Sequence, residues 1–239
     1  RGEGLMSTQI VTAAVMLNTG ELVNLQVTST DGSAANLVTS GTVGAGGGIA
    51  ATSIGTYANG KTITSFIQPV SSAGVVAWAY LARRGEILAC LPTGSSEQVN
   101  EPIQIRPIQL QAGDSIQVLT VASTAGLRQV NYNVVCTDGT NAIFSVQPST
   151  GTSGSVSLTH ILSGQGLGES LTGRTIQSHY ATGGEGARYA GGSVLCVNDR
   201  GLPMGGCYVV NTANQPLRSN SMGRATIALN WQAQVVLIA

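Results

Sequence analysis

The sequence predicts an all-β protein made of two tandem, homologous domains, each a β-sandwich or β-barrel. Three observations support this prediction: segments in which apolar and polar residues alternate, turn residues between them at roughly 8–12-residue spacing, and motifs that recur in order in both halves. Alternation is the pattern of a strand that buries one face. Neither half shows the longer period of a convincing amphipathic helix.

The recurring motifs define the two predicted domains. Residues 23–32 and 130–139 both alternate and both end in Thr-Asp-Gly, so they are aligned as the same strand and turn. Four further matches follow in order: 41–42 with 151–152, 60–65 with 173–178, 84–85 with 200–201, and 117–122 with 234–239. The separation between partners widens along the chain, as it would if loop insertions had accumulated in the second copy. The predicted domains are 1–122 and 123–239.

In the first domain, strands are predicted over 8–18, 22–30, 61–70, 74–82, 86–91, 102–110 and 115–122. A short helix is the alternative for 8–18. Region 31–60 is rich in Gly, Ser, Thr and Ala. Because each glycine costs a helix interior about 1 kcal/mol relative to alanine, a loop or a flat strand is predicted there. Pro107 has no N–H to donate and is expected at a sheet edge or a bulge.

The second domain repeats this plan. Its strands are predicted over 129–136, 141–147, 155–162, 174–180, 193–198, 206–211 and 224–238. The segment 181–192 contains many glycines and is predicted to be a long exposed loop.

Charge is scarce and balanced. Charged residues make up 9% of the chain and the formal net charge is 0, whereas an average soluble protein has roughly 25%. The basic residues form no run, which argues against direct binding of nucleic acid. No apolar segment approaches the ~20 residues of a membrane-spanning helix, and residues 1–7 do not resemble a signal peptide. Little repulsion between copies favours close self-association.

The four cysteines contain no C-x-x-C pair. They are predicted to be buried free thiols, although the sequence leaves their disulfide state open. The residues concerned are Cys90, Cys136, Cys196 and Cys207.

One stretch matches the G-x-x-x-x-G-K-[ST] pattern of a phosphate-binding P-loop. It runs from Gly55 to Thr62, and its counterpart in the second half has Arg174 in place of Lys61. A P-loop needs a strand before it and a helix after it, whereas a β-branched segment that ends at Pro69 follows here. The favoured interpretation is a glycine turn that leads into a strand in both domains. Residues 194–199 resemble a Walker B strand only in being apolar and ending in Asp199.

The remaining polar residues predict no active site. His160 and His179 are the only histidines, too few for a usual zinc or copper site, and are expected to be surface or satisfied residues. Asp31, Asp114 and Asp138 stand in turns and are expected to accept hydrogen bonds from their own backbone. Residues 151–155 only resemble a serine-hydrolase elbow. The sequence therefore predicts no catalytic residue, no cofactor, no metal site and no enzyme.

The duplication and the composition resemble viral capsid proteins with two β-barrels per subunit, and also phage head decoration proteins. The resemblance implies jelly-roll-like domains, trimers whose six similar domains act as hexamers, other capsid proteins as partners, and a place on the virion surface. One alternative is an extracellular filament or surface-layer subunit joined by exchange of strand 8–18. Another is a carbohydrate-binding module, although Trp78 and Trp231 are expected to anchor a core or an interface.

Overall fold

The protein is all-β and divides into two compact units. The computed structural model describes residues 8–30, 32–39, 51–71, 74–91, 103–122, 130–147, 154–183, 193–211 and 225–237. Those residues contain sixteen strands and two short helices. The first unit is Arg1–Ser123 and the second is Thr124–Ala239.

The first unit contains eight strands and one helix. In chain order they are β1 (Thr8–Leu17), β2 (Leu22–Thr30), β3 (Ala34–Thr39), α1 (Ile54–Tyr57), β4 (Thr62–Ser71), β5 (Gly74–Arg83), β6 (Glu86–Leu91), β7 (Ile103–Gln109) and β8 (Ser115–Ala122). The strand order is β6-β5-β8-β3-β2-β1-β4-β7, and every neighbouring pair is antiparallel. Pro107 lies in the last strand of this order, at the edge where the missing N–H is tolerated.

Three antiparallel pairs of the first unit are nested along the chain. The hairpin β5–β6 is the innermost, β4–β7 surrounds it, and β3–β8 surrounds both. The hairpin β1–β2 completes the sheet, because β1 also pairs with β4 and β2 also pairs with β3. Nesting of this kind is jelly-roll-like and brings both ends of the unit into one sheet.

The core of the first unit is formed by the inward faces of these strands. In β1 the burial alternates as the pattern predicted, with Val11, Val15 and Leu17 almost fully buried. They pack in one cluster with Phe66 of β4 and Leu81 of β5. Each such side chain contributes roughly 1.5–3 kcal/mol when it leaves water, so the interior apolar positions hold the strands together.

The second unit also contains eight strands and one helix. In chain order they are β9 (Val130–Cys136), β10 (Asn141–Val146), β11 (Gly154–Ser157), β12 (Thr159–His160), α2 (Leu167–Leu171), β13 (Ile176–Gly183), β14 (Ser193–Val197), β15 (Pro203–Asn211) and β16 (Gln232–Leu237). The strand order is β11-β16-β14-β15-β13-β9-β10-β12. The pair β13–β15 is parallel.

The two units repeat the same backbone hydrogen bonds at corresponding turns. Corresponding bonds are Leu17 N–H to Glu21 O and Cys136 N–H to Thr140 O, Gly60 N–H to Leu110 O and Gly173 N–H to Ile227 O, and Gly55 N–H to Asp114 O and Gly168 N–H to Trp231 O. Strand pairing agrees in part, since β3 joins β8 and β2 while β11 and β12 join β16 and β10. It differs where β4 pairs with β7, because β13 runs parallel to β15. Common ancestry of the units stays a prediction, which these contacts support.

The alignment of residues 23–32 with 130–139 is wrong. Residues 130–136 form the first strand of the second unit, and their turn leads directly back into β10. The matching feature of the first unit is β1 with its turn after Leu17, not β2. The sequence misled because every half-buried strand alternates with period two, and because Asp-Gly recurs in different turns.

Several element predictions also need correction. Region 31–60, predicted to be a loop or a flat strand, contains strand β3 and helix α1, and neither α1 nor α2 was predicted. The predicted strand 155–162 is two short strands, and β13 extends to Gly183, into the predicted loop. In the described part of the predicted strand 224–238, which starts at residue 225, Thr226 makes an isolated bridge and β16 begins at Gln232. A helix of one turn is too short to show a period, which explains the missed helices.

Candidate functional site

The P-loop-like segment forms a helix followed by a strand, the reverse of a nucleotide-binding loop. Helix α1 begins after Ser53, whose Oγ accepts a hydrogen bond from Thr56 N–H at 3.2 Å. The chain then turns at Gly60, whose φ is +80°, and enters β4. In a P-loop, by contrast, the helix follows the glycine-rich turn, and its N-terminus points at the phosphates.

The backbone N–H groups of this corner are used inside the protein. Gly55 N–H donates to Asp114 O at 3.0 Å, Gly60 N–H to Leu110 O at 2.9 Å, and Lys61 N–H to Ala58 O at 3.0 Å. Gly55 is glycine because the chain packs closely there: an added Cβ would lie 2.3 Å from Gln111 O. These donors are therefore not available to phosphate oxygens, and the glycine-turn interpretation is confirmed.

Lys61 binds a carboxylate of the same unit. Its Nζ donates to Glu21 Oε2 at 2.6 Å, and Tyr57 Oη donates to Glu21 Oε1 at 2.6 Å. The hydrogen bond from Lys61 is the main cause that holds the pKa of Glu21 below its usual value, and Glu21 in turn raises the pKa of Tyr57. The lysine thus ties the corner to the β1–β2 turn.

The second unit has a corresponding ion pair between different side chains. Arg174 donates to Asp138 Oδ2 and to Thr140 Oγ1, in the turn between β9 and β10. Asp138 also accepts from Thr140 N–H at 2.9 Å, and this backbone bond is the main reason that the pKa of Asp138 is lowered. Asp138 is therefore a turn aspartate as predicted, with an ion pair added. Asp31 lies outside the described residues.

Asp114 is the carboxylate that the sequence described least completely. It accepts from Gln111 N–H at 2.9 Å, as a turn aspartate should, but it is fully buried. Arg83 Nε and Nη2 donate to its two oxygens at 2.8 and 2.7 Å. Arg83 also donates to Gln109 O, so this bidentate pair joins the end of β5 to the start of β8. In the sequence, this ion pair is visible only as an arginine at the end of a predicted strand. Residue spacing alone could not show that its partner is Asp114.

A buried polar cluster, here called the Tyr132 cluster, lies inside the second unit. It consists of Tyr132 of β9, His179 of β13 and Cys196 of β14. Tyr132 Oη lies 2.9 Å from His179 Nδ1 and 3.2 Å from Cys196 Sγ. His179 is 1% exposed, and its Nε2 has no hydrogen-bond partner.

Burial lowers the pKa of both histidines. The expectation of a surface or satisfied residue is wrong for His179, because its buried Nε2 stays unsatisfied. His160 is half-buried, and its Nδ1 lies 3.1 Å from Ser163 Oγ. Water can therefore reach the imidazole of His160 but not that of His179.

The cysteine side chains that the structure describes are buried, so solvent does not reach their thiols. Cys136 and Cys196 are free thiols, and burial raises the pKa of each to about 11. Burial also raises the pKa of Cys90. A thiol is nucleophilic as its thiolate, so these groups stay inert near neutral pH. The side chain of Cys207 lies outside the described ones.

The structure does not bring the other described candidate residues of the sequence together in one site. Within the described ranges, no group of three or more His, Cys, Asp and Glu residues could hold a metal ion. Asp199 is exposed in the turn after β14. Trp231 is buried in the second core, whereas Trp78 is half-buried beside Tyr80, with ring centroids 5.2 Å apart. Residues 151–153, the start of the elbow-like motif, lie outside the described residues.

Comparison with protein-family models, with curated proteins and with solved structures finds no match to this chain. Among the residues that the structure describes, no helix has the length and apolarity to cross a membrane. What the chain does must therefore be argued from its own geometry, in which the described polar side chains at the corners bind one another.

Proposed function

We propose that this protein is a structural virion protein, either a capsid shell subunit or an outer decoration subunit, which assembles with copies of itself. The observation that carries the proposal is the presence of two compact, eight-stranded units with corresponding turn hydrogen bonds, the first of which nests its antiparallel pairs in a jelly-roll-like order. Jelly rolls are the usual building blocks of viral shells, although lectin and enzyme domains use them too. The proposal includes no enzymatic activity.

The distribution of charge supports assembly through large, weakly charged interfaces. The chain has 11 basic and 11 acidic residues. In the described residues, three pairs of opposite charge bind each other inside a unit: Lys61–Glu21, Arg83–Asp114 and Arg174–Asp138. An interface built from the remaining surface desolvates few ions, which is the costly part of association. Zero net charge also favours a position away from the packaged nucleic acid.

The duplication favours a trimer. Two similar units in each of three chains give six similar lobes, the arrangement that a hexagonal position in a shell requires. Closed symmetry of this kind is the common state of soluble homo-oligomers. The partners in this proposal are other copies of the chain and other capsid proteins, and the location is the virion surface.

A filament or surface-layer subunit is the second candidate. Strand exchange through residues 8–18 is less favoured, because β1 already pairs with β2 on one side and β4 on the other. A carbohydrate-binding module is also less favoured, since Trp231 is buried in the core. A glycan array that shows binding above background would favour that module.

The native mass in solution tests the proposal, measured by light scattering after gel filtration, with electron microscopy of the same sample. We expect a trimer and closed shells or shell-bound particles. Open fibres would favour the filament, and a monomer at high concentration would refute every assembly proposal.

A lysine scan of exposed apolar residues locates the interface. Large apolar side chains are exposed at Ile10, Leu22, Leu162, Leu202, Met204 and Leu229. We expect at least one of these six lysine variants to reduce the native mass to that of a monomer. Asn230→Lys, at the exposed position next to Leu229, is the matched control and should keep the oligomer. Six variants that all remain trimeric would mean that these residues lie outside the interface.

A further inference from the structure

The Tyr132 cluster has an apolar counterpart in the first unit. His179 pairs with Val134 of β9, and Phe66 pairs with Val15 at the same place in the sheet of the first unit. By the same registers, Tyr132 corresponds to Ala13 and Cys196 to Leu81. Phe66 and Leu81 are 0% exposed, so this fold position accepts purely apolar residues.

We propose that His179 makes the second unit acid-sensitive: protonation of its buried imidazole loosens β13 from β9, its neighbour in the sheet, and disturbs the contact of Tyr132 with Cys196 of β14, whereas the first unit stays closed. The neutral ring needs one donor and one acceptor, and Tyr132 serves its Nδ1 in either role. Protonation makes both ring nitrogens donors. Nε2–H then lacks an acceptor in an apolar interior, and a cation is buried without an anion.

No described titratable group around His179 can balance that charge. Tyr132 of β9 contacts the ring directly, Cys196 of β14 contacts Tyr132, Cys136 lies further along β9, and His160 of β12 packs against Phe144. Each is neutral or cationic in mildly acidic solution. The ion pair described in the second unit, Arg174 with Asp138, lies at the β9–β10 turn and its two charges compensate each other. The charged ring can gain a partner only when water enters, so the strands must separate.

The direction of the pH effect follows from burial. Burial lowers the pKa of His179 in the folded unit, whereas an exposed histidine in the unfolded chain titrates near 6.5. The stability that the neutral ring provides is therefore complete above about pH 6.5 and is lost as the pH falls toward the folded pKa. One group changes the opening constant by at most about tenfold per pH unit in that window.

Hydrogen exchange with mass spectrometry, corrected for the intrinsic effect of pH, tests this proposal. Between about pH 6.5 and about pH 5.5, we expect peptides of β9, β13 and β14 to lose up to about tenfold in protection. Peptides of β1, β4 and β5, which surround Phe66, should not change. His179→Phe should remove the acid effect, and His179→Gln is the second variant if the phenylalanine does not fold.

His160→Gln is the matched control, because it removes the other imidazole and should leave the acid effect in place. With two histidines in the chain, this variant also assigns the two imidazole proton signals in the NMR spectrum. Protonation of His179 should coincide with the loss of protection. Equal acid sensitivity in the wild type and in a His179 variant would overturn the proposal, as would protonation of His179 with full protection retained. These readouts do not depend on the proposed virion function.

Discussion

Replacing Gly168 by alanine tests whether the close contact between α2 and the backbone at Leu229 stabilises the second unit. An added Cβ would lie 2.1 Å from Leu229 O and 2.6 Å from Ala228 O, and both neighbours are backbone atoms that cannot rotate away. The substitution also strains the bond from Gly168 N–H to Trp231 O, which is 2.9 Å long. The chain turn that includes Leu229 must therefore move by about 1 Å, well beyond ordinary packing tolerance.

The expected loss of stability is about 3 kcal/mol. Overpacking costs about 1–3 kcal/mol or more, and a strained buried hydrogen bond costs about 1 kcal/mol. Because Gly168 lies in α2, alanine regains about 1 kcal/mol of helix propensity. A net loss of this size lowers the melting temperature by about 10 °C in a unit of this length.

Tryptophan fluorescence reports each unit separately. The chain has two tryptophans, and Trp231 is buried in the core of the second unit. In a Trp78→Phe background, urea unfolding followed by fluorescence therefore reports the second unit. Gly166→Ala is the matched control, because its Cβ would meet only Glu169 Oε2, at 3.9 Å. We expect that control to cost less than about 1 kcal/mol.

Equal unfolding midpoints for Gly168→Ala and Gly166→Ala would refute this reasoning. The first unit offers an independent repeat, because an added Cβ at Gly55 would lie 2.3 Å from Gln111 O. Gly55→Ala in a Trp231→Phe background should therefore lower the midpoint reported by Trp78. Stability retained in both units would mean that these backbones do not approach as closely as described.

Three further predictions concern the remaining polar groups. Asp114→Ala should destabilise the first unit by about 2–3 kcal/mol in the same fluorescence assay, because Arg83 and a turn N–H lose their buried acceptor, and unchanged stability would contradict this. Iodoacetamide at about pH 8 should leave Cys136 and Cys196 unmodified in native protein but not in urea, since burial raises the pKa of both to about 11; peptide mass spectrometry would reveal rapid native labelling. Calorimetry with Mg-ATP should detect no binding to wild type or to Lys61→Met, and binding that the variant loses would restore the P-loop interpretation.

Strands bounded by clear turn residues could be predicted from the sequence almost to the residue. The prediction 86–91 equals β6, and 115–122 equals β8. The bounds of β3 could not be predicted within region 31–60, because Ala34–Thr39 contains only two larger apolar residues, Leu37 and Val38, among small and polar ones. It is a strand because β8 and β2 pair with its two ends, and such tertiary pairing leaves no local signal.

The Tyr132 cluster could not be predicted, because its three members come from strands that are distant along the chain. Tyr132 is 47 residues from His179 and 64 residues from Cys196. The duplication also hid the cluster, since the corresponding residues of the first unit are apolar. By contrast, the corner glycines recur in both halves, so a shared backbone role could be inferred there without knowing the contacts.

The two units share backbone hydrogen bonds at their corners but use different side chains there. Lys61–Glu21 becomes Arg174–Asp138 at the corner, and the buried carboxylate Asp114 becomes the indole of Trp231. The backbone hydrogen bonds at these positions correspond, and a glycine packs closely against backbone in both units. In the proposed trimer, the six units would have similar backbones but different side chains at corresponding positions. Neighbouring subunits could then distinguish one lobe from the next, which identical lobes would not allow.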